Sequence, residues 1–157
     1  MNSGLIDLHV HTKASDGTMT PAEVVAHAVE KGLRAIAITD HDTVDGVDEA
    51  ARAGRELDLE VIPGVEVSVD YNNGEMHILG YFIDVQNPEL HKNLDLLRQY
   101  RDERNPRIVE KLRSLGFDIT MDEIVEAAAG GVVGRPHFAA VMQKKGYVNS
   151  LDQAFAW

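Results

Sequence analysis

The chain has 157 residues, no cysteine and a formal net charge of −11 at pH 7, with 44% hydrophobic and 26% charged residues. This length fits one compact domain and falls short of the roughly 250 residues of a full (β/α)8 barrel, and the composition is that of a globular chain rather than a disordered or fibrous one. The lack of cysteine excludes a disulfide framework, a thiolate zinc site and a cysteine nucleophile, the acidity opposes general nucleic-acid binding, and no membrane span or basic signal region is seen, so a soluble cytoplasmic protein is expected.

Leu5 to His11 alternates, with Ile6, Leu8 and Val10 apolar, which predicts a strand carrying Asp7, His9 and His11 on one face. Ser15-Asp16-Gly17 reads as a loop. Thr20-Pro21-Ala22-Glu23 reads as a capping box opening a helix to about Lys31, with Gly32 as its C-terminal cap. Arg34–Thr39 is apolar on both faces, the pattern of a buried parallel strand. A second helix is expected over Val47–Leu57, and Asp42 is a candidate for its cap. A third strand follows over Glu60–Val69, then a turn at Asn72-Asn73-Gly74 and a fourth strand over Met76–Ile83. Strands alternating with helices imply right-handed crossovers and a mainly parallel sheet.

After Asp84 the pattern becomes helical. Pro88–Leu115 is expected to break at Asn105-Pro106, because proline removes a donor and disfavours a helical residue before it. Thr120 to Glu123 forms a second capping box, Gly130-Gly131 ends the helix it opens, and Pro136 starts another that stops near Gly146. Ser150 caps a last turn over Leu151–Trp157. The sequence divides into an α/β part over residues 1–84 and an all-helical part over residues 85–157.

Histidines and carboxylates collect where strands end. His9, His11, Asp16, His41, Glu66 and His77 all fall at strand ends or in the loops that follow, the rim where parallel α/β folds build their sites. The spacing His9-Val10-His11 holds two imidazoles side by side, a common way to grip one ion from a strand. Glu66 interrupts an otherwise apolar strand, and a carboxylate there is costly unless paired or metal-bound. Imidazole with carboxylate oxygen suits Mn, Zn or Fe. Asp7 is placed one layer below His9, as a group that orients a ligand rather than binding metal. His27 and His91 read as structural or solvated. Arg135 and His137 lie beside glycines and Pro136 at a helix start, and are read as a phosphate-recognition pair; the alternative is an Arg that caps carbonyls and a His that packs.

The segments Asp7-Leu8-His9-Val10-His11-Thr12, Ser15-Asp16-Gly17, Thr39-Asp40-His41-Asp42, Gly64-Val65-Glu66-Val67-Ser68 and Met76-His77-Ile78-Leu79-Gly80 resemble those of the PHP family, named for polymerase and histidinol phosphatase. The later helical stretch is similar to the insert of the branch that removes phosphate from nucleotides and trims short RNA. The resemblance implies the first strands of a distorted (β/α)7 barrel with an all-helical insert. It implies up to three divalent ions, and phosphate-ester hydrolysis by metal-activated hydroxide. By motif, His9, His11 and Glu66 would hold one ion, Glu66 would bridge to a second with His77, and Asp16 with His41 would hold the third. The substrate would be a small phosphorylated molecule or a short RNA, and the oligomeric state is left open. The family's later ligands, from a His-Pro and an Asp-x-His segment, have no counterpart here, so the chain is expected to be a fragment of a longer protein or to be completed by another chain, and as a monomer to be weakly active at best. Two other readings stand beside this one: an amidohydrolase-type His-x-His metallohydrolase, and a non-catalytic metal-binding fragment.

Overall fold

The computed structural model describes residues 4–71 and 74–156. Elements follow in the order β1 (Leu5–Val10), α1 (Pro21–Glu30), β2 (Leu33–Ile38), α2 (Val47–Leu57), β3 (Glu60–Tyr71), β4 (Gly74–Tyr81), α3 (Pro88–Ser114), α4 (Met121–Ala128), α5 (Arg135–Lys144) and α6 (Leu151–Ala154). The turn expected at Asn72-Asn73 lies outside the described residues. The expected α/β architecture is present, as part of a barrel followed by helices.

Strand order is β1-β2-β3-β4. β1 with β2 and β2 with β3 are parallel, each joined through a helix, and β3 with β4 forms an antiparallel hairpin in register from Gly64 against Tyr81. Apolar β2 lies at the bottom of the core, with Ile36, Ala37 and Ile38 almost fully buried. Val25 and Ala28 of α1, Val47 and Ala50 of α2, and Val65 of β3 pack around it. Edge strand β1 leaves Leu5 and Ile6 exposed. The sheet is curled, and the Tyr81 hydroxyl of β4 donates to the Leu8 carbonyl of β1 at 2.9 Å.

Gly64 permits the crowding that the curl demands. An added Cβ there would sit 2.9 Å from both the Ile38 and the Gly80 carbonyl oxygens. The α1 start is as expected: Thr20 accepts from the Glu23 N–H at 3.3 Å, and Glu23 accepts from the Thr20 N–H at 2.8 Å.

A second cluster gathers Val109, Ile119, Ile124, Phe138, Val141, Met142 and Val148. α3 serves both clusters, with Leu90, Leu94 and Leu97 against the sheet and Ile108, Val109 and Leu112 in the helical cluster. The packing therefore divides inside α3. The helical part also touches the rim of the sheet. The Val132 N–H donates to the Ala14 carbonyl at 3.0 Å. Gly131 lies so close that a Cβ would fall 2.3 Å from the Lys13 carbonyl oxygen.

The break expected at Asn105-Pro106 is absent, and α3 runs 27 residues through Pro106. Tertiary packing overrides the local preference. Leu94, Arg101, Asn105 and Val109 form one buried stripe that continues across the proline, with Asn105 fully buried. The cost of the missing N–H remains. Pro106→Ala restores a donor and removes the ring clash, a gain of up to about 3 kcal/mol reduced by added freedom of the unfolded chain. The urea midpoint should rise by the equivalent of about 1–2 kcal/mol with an unchanged m value; a lowered midpoint would mean that the proline is not a burden on a continuous helix.

Candidate metal centre

Four chain segments gather around a carboxylate carried by a fifth. β3 carries Glu66, whose side chain is 5% exposed. The loop after β2 runs beside it, because His41 forms an isolated parallel bridge with Glu66 and the Asp42 N–H donates to the Glu66 carbonyl at 3.0 Å. β1 and its following loop bring His9, His11 and Asp16, and β4 brings His77.

Glu66 Oε2 lies 2.8 Å from His9 Nε2 and 3.0 Å from His11 Nε2, while Oε1 lies 2.9 Å from His77 Nδ1. His11 Nδ1 is 3.3 Å from Asp16 Oδ1, and His41 Nε2 is 3.5 Å from Asp16 Oδ2. His41 Nδ1 faces Glu66 Oε2 at 3.7 Å. Glu66, His11, Asp16 and His41 thus form a closed ring of alternating carboxylate and imidazole, with His9 and His77 attached to Glu66. Adjacent imidazoles lie tilted against each other, their centroids 5.1 Å apart for His9 and His11 and 4.7 Å for His11 and His41.

Three overlapping groups have ligand atoms within 4.8 Å of one another: His9, His11 and Glu66; His11, Asp16 and His41; and His41, Glu66 and His77. The donor chemistry fits a divalent cation, and one orphaned atom points the same way. His41 Nδ1 is buried without a hydrogen-bond partner, an unmet polar atom inside the cluster that a bound cation would satisfy.

Burial pushes His41 below its ordinary value, against the pull of Asp16 and Glu66 and with help from His11 and Arg101. Burial pushes Glu66 upward, but the His9 hydrogen bond and the charges of His41, His9 and His11 outweigh it and hold the carboxyl below its ordinary value. Both shifts leave neutral imidazole and ionised carboxylate, the protonation states that bind metal.

The remaining expected residues divide. Arg135 lines a cleft of about 140 Å³ together with Asp16, His41 and His77. His137 does not line it. His137 is buried, and its Nδ1 accepts from the Gly134 N–H at 2.9 Å, closing the start of α5. That contact occupies the Gly134 N–H at the helix start, and Gly131 serves close packing. Asp7 is exposed and accepts from the main-chain N–H of His9 at 3.1 Å, so it meets the backbone and not the ring. The reason is that β1 pairs irregularly between Asp7 and Val10, which breaks strict alternation.

Several residues escaped the sequence reading. Asp42 does not cap α2, whose N-cap is Gly46. It is fully buried at a left-handed φ of 51° and accepts from Arg101 Nε at 2.6 Å and from the Ser68 N–H and hydroxyl at 2.8 and 2.9 Å. Arg101 Nη2 donates to Ser68 Oγ at 2.7 Å, and Arg98 donates to the Asp42 carbonyl at 3.0 Å. Asp40 is equally buried and accepts from Thr12 N–H, Thr12 Oγ1 and Ser15 Oγ, each at 2.7 Å, fixing the loop between His11 and Asp16. Arg101 and Arg104 join Arg135 in the cleft. The available signal was the step of three along α3 in Arg98, Arg101 and Arg104, which puts arginines on one face.

The chain belongs to the PHP domain family, whose profile matches residues 7–151. It is 37% identical over 149 residues to a 5'-3' exoribonuclease of Haemophilus influenzae, covering 95% of this chain and 54% of that protein. It is 34% identical over 151 residues to a 3',5'-nucleoside bisphosphate phosphatase of Chromobacterium violaceum, covering 96% and 53%. A crystal structure from Bifidobacterium adolescentis, described as a metal-dependent phosphoesterase, superposes with a TM-score of 0.89 at 34% identity over 98% of this chain and 55% of that one. The chain spans about half the length of the curated relatives it matches.

Two predictions follow from these contacts. Arg101→Met strands the buried Asp42 carboxylate and should destabilise by about 3–5 kcal/mol, while Arg101→Met with Asp42→Asn should cost clearly less than the sum of the single changes. Additive urea-denaturation losses would show the pair to be uncoupled. Burial also pushes His137 below its ordinary value. A histidine held low in the folded state favours unfolding once the pH drops below its unfolded value, which is 6.5. The metal-free protein should therefore lose stability from pH 6.5 downward, and His137→Gln, which can still accept from Gly134, should shrink that loss; identical pH profiles would refute it.

Proposed function

We propose that this chain carries the metal centre and substrate rim of a phosphoesterase acting on nucleotides or short RNA. The observation that carries the reading is the cluster around Glu66, in which four imidazoles and two carboxylates from distant segments meet at one rim. His9 and His11 with Glu66 Oε2 would hold one ion, and His77 with Glu66 Oε1 a second. Asp16 and His41 would hold a third. Bound divalent ions would supply activated water and neutralise charge at phosphorus; Mn, Zn and Fe suit the donors.

The chain's own residues do the rest. Asp40 holds the loop between His11 and Asp16 through Thr12 and Ser15, so ligands reach the ion in place. The guanidinium groups of Arg104 and Arg135 border the cleft beside Asp16, His41 and His77, where planar forks match phosphate oxygens, while Arg101 on the same wall is committed to Asp42 and Ser68. Arg135 would grip a phosphate other than the scissile one, the arrangement that a 3',5'-bisphosphate or an RNA end requires. The related exoribonuclease and bisphosphate phosphatase support this substrate class. No helix among the described residues is long and apolar enough to cross a membrane, and a cysteine-free chain with such substrates fits the cytoplasm.

Glu66→Gln keeps the shape but removes the charge that two ions would share, whereas His77→Ala removes one ligand of one ion. Elemental analysis should show a larger loss of metal for Glu66→Gln than for His77→Ala, and chelation should abolish phosphate release from a nucleoside 3',5'-bisphosphate. Equal metal content in the two variants would remove the bridging role, and release that survives chelation would remove the metal-dependent reading.

A further inference from the structure

Charge is distributed unevenly along this acidic chain. Residues 1–84 hold five Lys and Arg against sixteen Asp and Glu, whereas residues 85–157 hold ten against ten. The helical part therefore carries none of the net negative charge. Within it, a groove of about 440 Å³ runs between α3, α5 and the end of α6. Arg104, Arg107, Lys111 and Arg135 line it, its floor is apolar around Phe138, and among the described residues no carboxylate lines it.

The groove is continuous with the metal rim. Arg104, Arg135 and Phe155 border both the groove and the cleft that contains Asp16, His41 and His77. Arg104, Arg107 and Lys111 follow in steps of three and four along α3, so they share one face over about 10 Å of helix. Arg107 and Lys111 are exposed and lie outside the cleft. Phe155, at the junction, is 54% exposed and presents an aromatic ring where the two spaces meet.

We propose that this groove is the track of a single-stranded oligonucleotide whose terminal phosphate lies at the rim. The proposal rests on the phosphoesterase reading of that rim. A row of cations beside an apolar floor, with an exposed aromatic ring at the entrance, matches a chain of phosphates alternating with bases. Arg107 and Lys111 lie outside the cleft at the metal rim, so a mononucleotide held within that cleft makes no use of them. Arg107 and Lys111 hold the phosphates downstream of the reacting one, and Phe155 offers a face on which any base can stack. The groove thus favours short RNA over a free bisphosphate.

The test compares Arg107→Ala/Lys111→Ala with the unchanged chain, both loaded with Mn²⁺. Fluorescence anisotropy of a 5'-phosphorylated, phosphorothioate-linked pentaribonucleotide reads binding, and phosphate release from a nucleoside 3',5'-bisphosphate reads the rim. The double variant should bind the pentanucleotide about tenfold more weakly, with a salt slope reduced by about 1.4, or 0.7 for each lost phosphate contact. Bisphosphate release should not change. Unchanged pentanucleotide binding overturns the track, as does equal loss on both substrates or tight binding of a poly-glutamate peptide at the same site. Failure of the rim reading looks different: bisphosphate release is absent from the unchanged chain while the pentanucleotide still binds through Arg107 and Lys111.

Discussion

A single buried carboxylate organises the rim. Glu66 lies in a strand whose neighbours are apolar, and an isolated charge there would be expelled or neutralised. It stays because His9, His11 and His77 approach its two oxygens within 3.0 Å. That requirement fixes much else. β3 must place Glu66 at the sheet's rim, the loop after β2 must run alongside it, and β4 must return antiparallel so that His77 reaches the second oxygen. The parallel bridge of His41 with Glu66 and the bond from the Asp42 N–H are the backbone side of the same constraint.

The helical part is tied to this rim at two points of different character. One is ionic and buried, where Arg101 of α3 pairs with Asp42 and shares Ser68 with it. The other is a close backbone approach, where Gly131 and Val132 press on the loop of Lys13 and Ala14. The first fixes the segment of His41 and the second fixes the loop leading to Asp16. Helices that lie outside the imidazole and carboxylate cluster therefore hold two loops that carry members of it. Removing a side chain on α3 acts on the rim through positions that are distant in sequence.

Much of this was legible in the sequence, and for physical reasons. The strand and helix sequence around β1, β2 and β3 is carried by periodicity and by the capping box at Thr20, which are local signals. His9, His11, Asp16, His41, Glu66 and His77 were legible because they gather at strand ends and in the loops that follow, Glu66 is costly in an apolar strand unless paired, and their segments match a family. Non-local contacts were not legible. Asp42 looked like a cap because its partner Arg101 lies far along the chain. His137 looked like a phosphate ligand because its contact with Gly134 depends on how α5 starts. Pro106 looked like a break because the buried stripe of Arg101, Asn105 and Val109 that carries the helix across it exists only once both clusters are packed.

The hydroxyl of Tyr81 on the carbonyl of Leu8 links the first strand to the last. Strands in a flat sheet lie about 4.8 Å apart, and side chains on one face stand parallel, so the tips from β1 and β4 would stay about 14 Å apart. No single carboxylate could then serve His9 and His77 together. The inward bend of the backbone makes parallel side chains converge, as spokes do towards a hub. The site is thus a property of curvature as well as of residue identity: a change that flattened the sheet would disperse it with every imidazole and carboxylate still in place.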